Sequence, residues 1–238
     1  PNQLTLDKLF YSFPIGSQLT VTAGPRVGQE DMLAIWPSFY PSDAILDVLT
    51  LNGAPAAYNK NLGAGAGLRW DAPTGFRFSA NYVAANGSRS TTSEGGLATK
   101  DAGSTGTVQI GYAREELTLA AIYTAIQNGD DLITYASPFT QTSLSARGMT
   151  HAFGLGGAWQ GLDERWIPSI SAGWGINVSD TSQNGDVHTS QSWTAGLEWN
   201  NIFMDSTSVG IAVGQPVFAT DLKGDNTPND GQFIWEAW

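Results

Sequence analysis

Residues 62–85 read LGAGAGLRWDAPTGFRFSANYVAA, and they contain two stretches of alternating side chains on either side of a tight turn at 73–75. Apolar residues occupy every second position of both stretches, and mostly glycine or polar residues stand between them. A period of two is typical of β-strands, so the pair predicts a hairpin. The exceptions are Val83 and Ala85, which are apolar residues in the polar phase.

The composition of the two phases favours a membrane barrel over a soluble sandwich. In a sandwich the apolar phase packs on a core and is rich in Val, Ile and Leu. Here the aromatic residues Trp70, Phe76 and Tyr82 lie near the ends of the apolar phase. Each predicted strand has about ten residues, the length that crosses a hydrocarbon layer at about 45° of tilt. A lipid-facing outer wall and a water-facing inner wall account for this pattern.

Charged residues are scarce in the chain as a whole. They make up 14% of the 238 residues, whereas an average soluble domain has about 25%. The formal net charge of -11 argues against a nucleic-acid partner, because phosphate binding needs a basic face. No run of about 18 apolar residues occurs, which excludes a transmembrane helix and leaves a barrel open. The first residues have neither the basic start nor the apolar run of a signal peptide.

The alternation extends along the chain and predicts eleven strands, in which long and short connections follow each other as in outer-membrane barrels. We place these strands at 3–13, 18–26, 62–71, 76–85, 107–113, 117–126, 151–159, 166–178, 192–199, 208–214 and 233–238. A bulge near residues 7–8 would reconcile the two phases of the first strand. Ile122 and Ile126 lie in the polar phase and weaken the assignment of theirs.

We therefore predict an all-β fold, a transmembrane antiparallel up-and-down β-barrel that occupies residues 1–238 as one domain. Single-chain bacterial barrels have even strand numbers, so we expect further strands beside the eleven counted here. An outer belt of tryptophans is expected at Trp70, Trp159, Trp166, Trp174 and Trp199.

The longest excursion between strands covers residues 27–61, and it carries carboxylates, aromatic residues and apolar residues. A loop of this length and composition is expected to fold back into the barrel and narrow its lumen, because its apolar residues need burial. Ser42 and Asp43 are expected to cap a short helical turn within it.

Arginines on the inner phase of neighbouring strands suggest a charged constriction opposite this loop. Guanidinium groups facing carboxylates would set up a transverse field that sorts ions by charge. The alternative is local pairing of the arginines with Asp71. The predicted constriction residues are Arg26, Arg69, Arg77, Glu30, Asp31, Asp43 and Asp47.

The aromatic residues Trp36, Phe39 and Tyr40 of the loop could stack on the apolar faces of passing sugar rings. The alternative is that they anchor the loop. No catalytic, cofactor or metal site is predicted, and the chain is not expected to be an enzyme. The sequence-local candidates considered were Ser190 and Ser192 with His188, a scatter of Asp180 and Asp186 beside that histidine, and calcium at 130–131 or 225–230.

Four segments of the chain resemble cyanobacterial outer-membrane porins of the carbohydrate-selective porin family, some of which are called iron-uptake porins. They are NQLTLDKLFYSFPIG at 2–16, TVTAGPR at 20–26, WPSFYP at 36–41 and WEAW at 235–238. The resemblance runs from end to end of the chain and implies a barrel of about sixteen strands. It also implies a homotrimer and an additional N-terminal surface-layer-homology domain.

The expected function is that of a porin in the cell outer membrane, surrounded by lipid. Its water-filled channel would pass inorganic ions and small hydrophilic solutes, with sugars as candidates, by passive diffusion. The rival prediction is a soluble β-sandwich that binds carbohydrate through tryptophans clustered in one groove.

Overall fold

The computed structural model of the chain describes residues 6–36, 38, 40, 45–89, 91, 93–128, 132–144, 148–161, 166–180, 183–202, 207–224 and 227–238. In these residues eleven strands form one sheet, and every neighbouring pair is antiparallel and consecutive in sequence. This all-β, up-and-down arrangement confirms the predicted fold class and is consistent with part of a β-barrel. The sheet is not closed, since among the described residues β1 pairs only with β2, and β11 only with β10.

The strands have seven to fifteen residues except at the last position, where four residues pair. They are β1 Leu9–Ile15, β2 Leu19–Gly28, β3 Leu62–Asp71, β4 Phe76–Ala84, β5 Ser104–Arg114, β6 Leu117–Gln127, β7 Met149–Trp159, β8 Ser169–Ser179, β9 Val187–Asn200, β10 Ser208–Leu222 and β11 Ile234–Ala237.

Burial alternates along the strands in the sense opposite to that of a soluble domain. In β8 the serines at 169 and 171 are almost inaccessible, whereas Ile170 is 45% and Trp174 40% exposed. In β5 the buried Gln109 stands between the exposed Val108 and Ile110. The sheet therefore buries its polar face and exposes its apolar face.

Exposed large apolar side chains lie on each strand from β3 to β8 and again on β10. The large side chains of this apolar face include those of Leu68, Trp70, Phe76, Ile110, Leu119, Phe153, Leu155, Ile170, Trp174, Ile211 and Val213. Tryptophans are spread along this face, because Trp70 lies on β3 and Trp174 on β8, while Trp166 is 81% exposed in the connection before β8. Such an arrangement differs from the single tryptophan groove of the sandwich alternative.

The polar face is covered by the excursion between β2 and β3. We call residues 29–61 of this excursion the inner segment. Leu51, Ala57 and Tyr58 of the segment pack with Ile122 and Ile126 of β6 in the largest buried cluster. Apolar residues of the segment thus gain burial against a wall that is mainly polar.

The apolar exceptions in the polar phase mark where the inner segment rests. Ile122 and Ile126 belong to the cluster around Leu51, and Val83 of β4 packs against Val27 and Met32. These residues interrupted the sequence pattern because they face the segment instead of water.

Three helical turns occur in the described residues. Two are short 3-10 helices of the inner segment, Glu30–Met32 and Asp47–Thr50, and the third is the α-helix α1, Pro138–Ser143. Ser137 caps α1 by accepting a hydrogen bond from the Thr140 amide. Among the residues described, no helix has the length and apolarity needed to cross a membrane. Ser42, Asp43 and Ala44, where the sequence predicted a capped helical turn, lie outside the described residues, and the next helical turn begins only at Asp47, with Leu46 at its N-cap position.

Several predicted strand limits and one predicted bulge were wrong. β8 begins at Ser169 and not at residue 166, and β9 begins at Val187 and not at residue 192. Residues 215–222 were expected to be loop, but β10 continues to Leu222 through irregular pairing after Gln215. Val217 in this extension is fully buried in the cluster of the inner segment, which gives the strand a partner that no local pattern reveals. The first hairpin has its irregularity between Leu9 and Tyr11, and not at residues 7–8.

Candidate functional site

Two glutamine side chains attach the inner segment to the polar face of the sheet, which we call the wall. Gln29 is fully buried, and its Nε2 donates to the Ala57 carbonyl at 2.9 Å and to Thr107 Oγ1 at 2.7 Å. Its Oε1 accepts from the Lys60 amide at 3.1 Å. These bonds join both ends of the segment to each other and to β5.

Gln109 of β5 belongs to the wall and binds the backbone of the inner segment. Its Oε1 accepts from the amides of Ala34 at 3.1 Å and Ile35 at 2.9 Å, and its Nε2 donates to the Ile35 carbonyl at 2.8 Å. Backbone groups in a buried loop need such partners, since an unsatisfied group costs about 1–3 kcal/mol. The wall's polar side chains thus replace water for the segment's backbone.

The segment lies directly on the backbone of β8. Gly53 has a φ of 69°, and a Cβ atom at this position would lie 2.1 Å from the carbonyl oxygen of Gly173. Ser192 Oγ on β9 donates to the Gly53 carbonyl at 2.9 Å. Glycine at both positions allows a contact that a side chain on either would prevent.

One side of the inner segment stays partly exposed, and we call it the open face. Most residues from Leu49 to Tyr58 are buried, so the open face is formed by a few side chains near the two 3-10 helices. Together with Lys8, which precedes β1, these are Glu30, Asp31, Trp36, Asp47 and Lys60.

Lys8 pairs with both carboxylates of the first 3-10 helix. Its Nζ lies 2.7 Å from Glu30 Oε1 and 2.8 Å from Asp31 Oδ2. Burial alone would lower the pKa of Lys8, but the hydrogen bonds to Asp31 and Glu30 outweigh burial and raise it. The group has one cation and two anions, so it carries an excess negative charge at neutral pH.

A second charged group joins the inner segment to the connection before β7. Asp47 Oδ1 lies 3.0 Å from Lys60 Nζ, and Asp47 Oδ2 accepts a hydrogen bond from the Tyr135 hydroxyl. Burial opposes the charge on Asp47, but the bonds from Tyr135 and Lys60 prevail and lower its pKa. Burial and the neighbouring carboxylate raise the pKa of Tyr135 to about 12.

A third charged group lies on the wall beside the segment. Asp71 of β3 binds Arg69 Nε through Oδ2 at 2.8 Å, and its Oδ1 lies 3.5 Å from Arg77 Nε. Arg77 Nη1 also reaches the Ala34 carbonyl of the inner segment at 3.4 Å. For Arg69 and Arg77 the structure therefore shows the alternative that the sequence left open, local pairing with Asp71.

The predicted constriction set is therefore only partly brought together. Glu30, Asp31 and Asp47 pair with lysines and not with the arginines of the wall. Arg26 is exposed and donates to the Asp7 carbonyl. Its expected inward position was wrong, because the irregularity between Gly24 and Val27 shifts the alternation and buries Val27 instead. Asp43 lies outside the described residues.

The aromatic residues of the segment serve as anchors in the described structure. Tyr40 is only 7% exposed, its hydroxyl bonds to Ser171, and its ring meets Trp238 edge to face at 5.4 Å. The prediction that Tyr40 stacks on a passing sugar was wrong, since its ring is not accessible. Trp36 is half-buried, with its Nε1 donating to the Thr50 carbonyl at 3.1 Å and Lys60 Nζ 5.8 Å from its ring. Phe39 lies outside the described residues.

The sequence argument missed Lys8, Lys60 and Tyr135. Lys60 lies at the end of the inner segment and Lys8 precedes β1, and both could have been considered as partners for the acids of the segment. Tyr135 lies 88 residues from Asp47, and no local pattern indicates that pair. Glu198 was also missed, although it stands in the polar phase of β9 and is 6% exposed.

The sequence-local catalytic candidates do not meet in the described residues. His188 Nδ1 is 3.0 Å from the Ser179 carbonyl oxygen. Ser190 Oγ accepts from Asn177, and Ser192 Oγ donates to Gly53. In the part of the chain that the structure describes, no group of three or more His, Asp or Glu side chains is placed to hold a metal ion. The candidate positions at 130–131 and 225–226 lie outside it.

Neither the models of known protein families nor the curated proteins include a match to this chain.

Proposed function

We propose that the chain forms the wall and the constriction of a water-filled channel in a cell outer membrane. The channel passes inorganic ions and small hydrophilic solutes, sugars among them, by passive diffusion. The chain acts as a porin and assembles as a homotrimer, as the resemblance in its sequence implies.

The observation that carries this proposal is the reversed burial of the sheet. An apolar patch of more than a few hundred Å² is uncommon on a soluble monomer, because its exposure to water is unfavourable. The apolar face described here extends from Leu68 on β3 to Ile211 on β10. Hydrocarbon is the environment that such a face suits, and strands of about ten residues have the length to cross it.

The inner segment supports the channel part of the proposal. It covers the polar face in the middle of the sheet and keeps charged side chains on its open face. A wall lined by hydroxyl and amide groups, narrowed by a fixed loop with paired charges, is a suitable path for hydrated solutes. The segment's many buried contacts favour a permanent constriction over a mobile gate.

The sandwich alternative requires a second sheet packed on the apolar face. The described residues form one sheet, and four of their five buried clusters contain residues of the inner segment, which covers the polar face. A soluble carbohydrate-binding module therefore has less support than a channel.

Reconstitution into planar lipid bilayers tests the proposal. We expect the complete natural protein to insert from detergent and give stepwise, ohmic currents in potassium chloride. Liposomes that contain it should release small sugars and retain polymers too large for the constriction. Stable insertion without current, or full solubility without detergent, would refute the channel.

A further inference from the structure

The wall group formed by Arg69, Asp71 and Arg77 has two guanidinium groups and only one carboxylate. Each oxygen of Asp71 faces one arginine through that arginine's Nε, at 2.8 Å for Arg69 and 3.5 Å for Arg77. Neither contact uses the paired fork that arginine presents to a carboxylate when it binds in two-point fashion. The group therefore carries one uncompensated positive charge.

Donors of both arginines remain available. Within the described residues, the terminal nitrogens of Arg69 have no partner, and those of Arg77 have one contact, to the Ala34 carbonyl at 3.4 Å. The side chains are 46% and 38% exposed, although Asp71 between them is 29% exposed. The anchored part is thus the shared carboxylate, and the free part of each guanidinium faces solvent.

The position of the group is fixed by strand pairing and by the inner segment. Asp71 and Arg77 are directly opposite each other across β3 and β4, and Arg69 is opposite Ser79. Ser79 is fully buried beneath the segment and accepts from the Ala34 amide at 3.1 Å. The arginines therefore stand on the polar face at the margin of the inner segment, towards the tight turn that joins β3 and β4.

We propose that Arg69 and Arg77 together form a binding site for a small oxyanion, such as inorganic phosphate. Phosphate has several acceptor oxygens, so one anion can receive donors from both guanidinium groups. Two arginines held by one carboxylate are ordered before the anion arrives, which reduces the entropy lost on binding.

The inference rests on the proposed function, because a solute in the channel would meet this site as it passes the inner segment. It adds the class of solute, since the excess positive charge favours anions over cations of the same size. The excess negative charge of the Lys8 group lies on the open face of the inner segment, whereas the two arginines belong to β3 and β4.

Equilibrium binding of inorganic phosphate to the detergent-solubilised complete protein tests the site without requiring a current. Titration calorimetry compares the natural protein with the variant Arg69→Ser/Arg77→Ser. We expect phosphate affinity to fall by about tenfold to a hundredfold, as is usual for the loss of hydrogen bonds to a charged group. Heat-dependent migration in gels shows whether each variant retains its folded sheet.

Two further variants separate binding from structural effects. Arg114→Ser removes an arginine that is 60% exposed at the same end of the sheet, in phase with the outward Ile110 and Tyr112, and should leave phosphate affinity unchanged. Asp71→Asn removes the negative charge beside the site, while its amide oxygen can still accept a hydrogen bond from Arg69, so this variant should bind phosphate more tightly. A purely structural role for the group predicts weaker binding for Asp71→Asn, or none.

Bilayer recordings add a second readout. Phosphate should reduce the chloride current of the natural protein in a saturable manner, and the double variant should lose this block. Equal phosphate affinity and equal block in the natural protein and the double variant would overturn the anion site, even if both conduct. Arginine-dependent binding in a protein that carries no current would retain the site and refute the channel.

Discussion

Gly53 of the inner segment lies on Gly173 of β8 so closely that a Cβ atom at position 173 would come within 1.7 Å of the Asn52 carbonyl oxygen. The segment reaches the wall here without an intervening side chain. The distance between the inner segment and the sheet is thus set by a backbone-to-backbone contact.

Gly173→Val should displace the inner segment. The new side chain overlaps the backbone of Asn52, and overpacking of this kind costs about 1–3 kcal/mol. We expect a lower unfolding temperature and an altered single-channel conductance. Gly106→Val on β5 is the matched control, because a Cβ there has no heavy atom within 4 Å. Equal conductance for both variants and the natural protein would contradict a fixed constriction.

Gln109→Leu should loosen the inner segment without disturbing the strands. The Ile35 amide loses its acceptor, at a cost of about 1–3 kcal/mol for an unsatisfied group, and the Ala34 amide keeps only its bond to Ser79 Oγ. Hydrogen exchange should accelerate at these two amides and remain slow in β7 and β8. Gln232→Leu, at an exposed position, serves as the control. Unchanged exchange at Ala34 and Ile35 would argue against this anchoring.

The Asp47 and Tyr135 pair should make the inner segment sensitive to acid. The pKa of Asp47 is lowered from its ordinary value of 3.8, so the ionised carboxylate stabilises the folded state. Its contribution is complete above pH 3.8 and is lost as the pH falls through the lower pKa of the folded protein. The protection factors of segment amides, which are corrected for the intrinsic pH dependence of exchange, should therefore fall at acid pH.

Tyr135→Phe provides the comparison for that acid sensitivity. The variant lacks the hydroxyl donor to Asp47, so its segment should open more easily at neutral pH and change less on acidification. The variant also lacks the tyrosine whose pKa is about 12, and ultraviolet titration should detect the loss of that ionisation. An identical acid response in the two proteins would exclude this pair as the cause.

Leu155→Arg tests the lipid-facing assignment of the apolar face. Leu155 is 57% exposed in β7, and a soluble protein would tolerate a charge there within about 0.5 kcal/mol. A membrane barrel loses about 2–4 kcal/mol when arginine faces the bilayer centre. Leu97→Arg, at a position 61% exposed in the connection before β5, is the control and should be nearly neutral. Equal stability of the two variants in lipid would contradict the transmembrane orientation.

The sequence predicted the strands well because alternation is a local property of the chain. The order Ser169, Ile170, Ser171 and Ala172 already shows which side chains share a face of β8. The same property failed at Arg26, because one irregular position changes the side on which every following residue lies. A bulge of this kind depends on the partner strand and not only on the residues themselves.

The candidate site was less predictable, since its contacts join distant parts of the chain. The acids of the inner segment were recognised, but their lysine partners and Tyr135 were not. The charge of an acidic residue does not show which of several basic residues at similar distances along the chain will be its partner. The apolar exceptions Ile122 and Val83 carried information on where the segment rests, and they become interpretable only once the segment is placed on the polar face.

The inner segment begins and ends at one rung of the hairpin, because Gly28 pairs with Leu62 and the Gln29 amide bonds to the Asn61 carbonyl at 2.8 Å. No strand pairing has to change when its length or composition changes, and loop-closure entropy grows only slowly with length. The segment can therefore be exchanged as a unit between β2 and β3. A different segment can be introduced by recombination at this single hairpin while the surrounding strands keep their register.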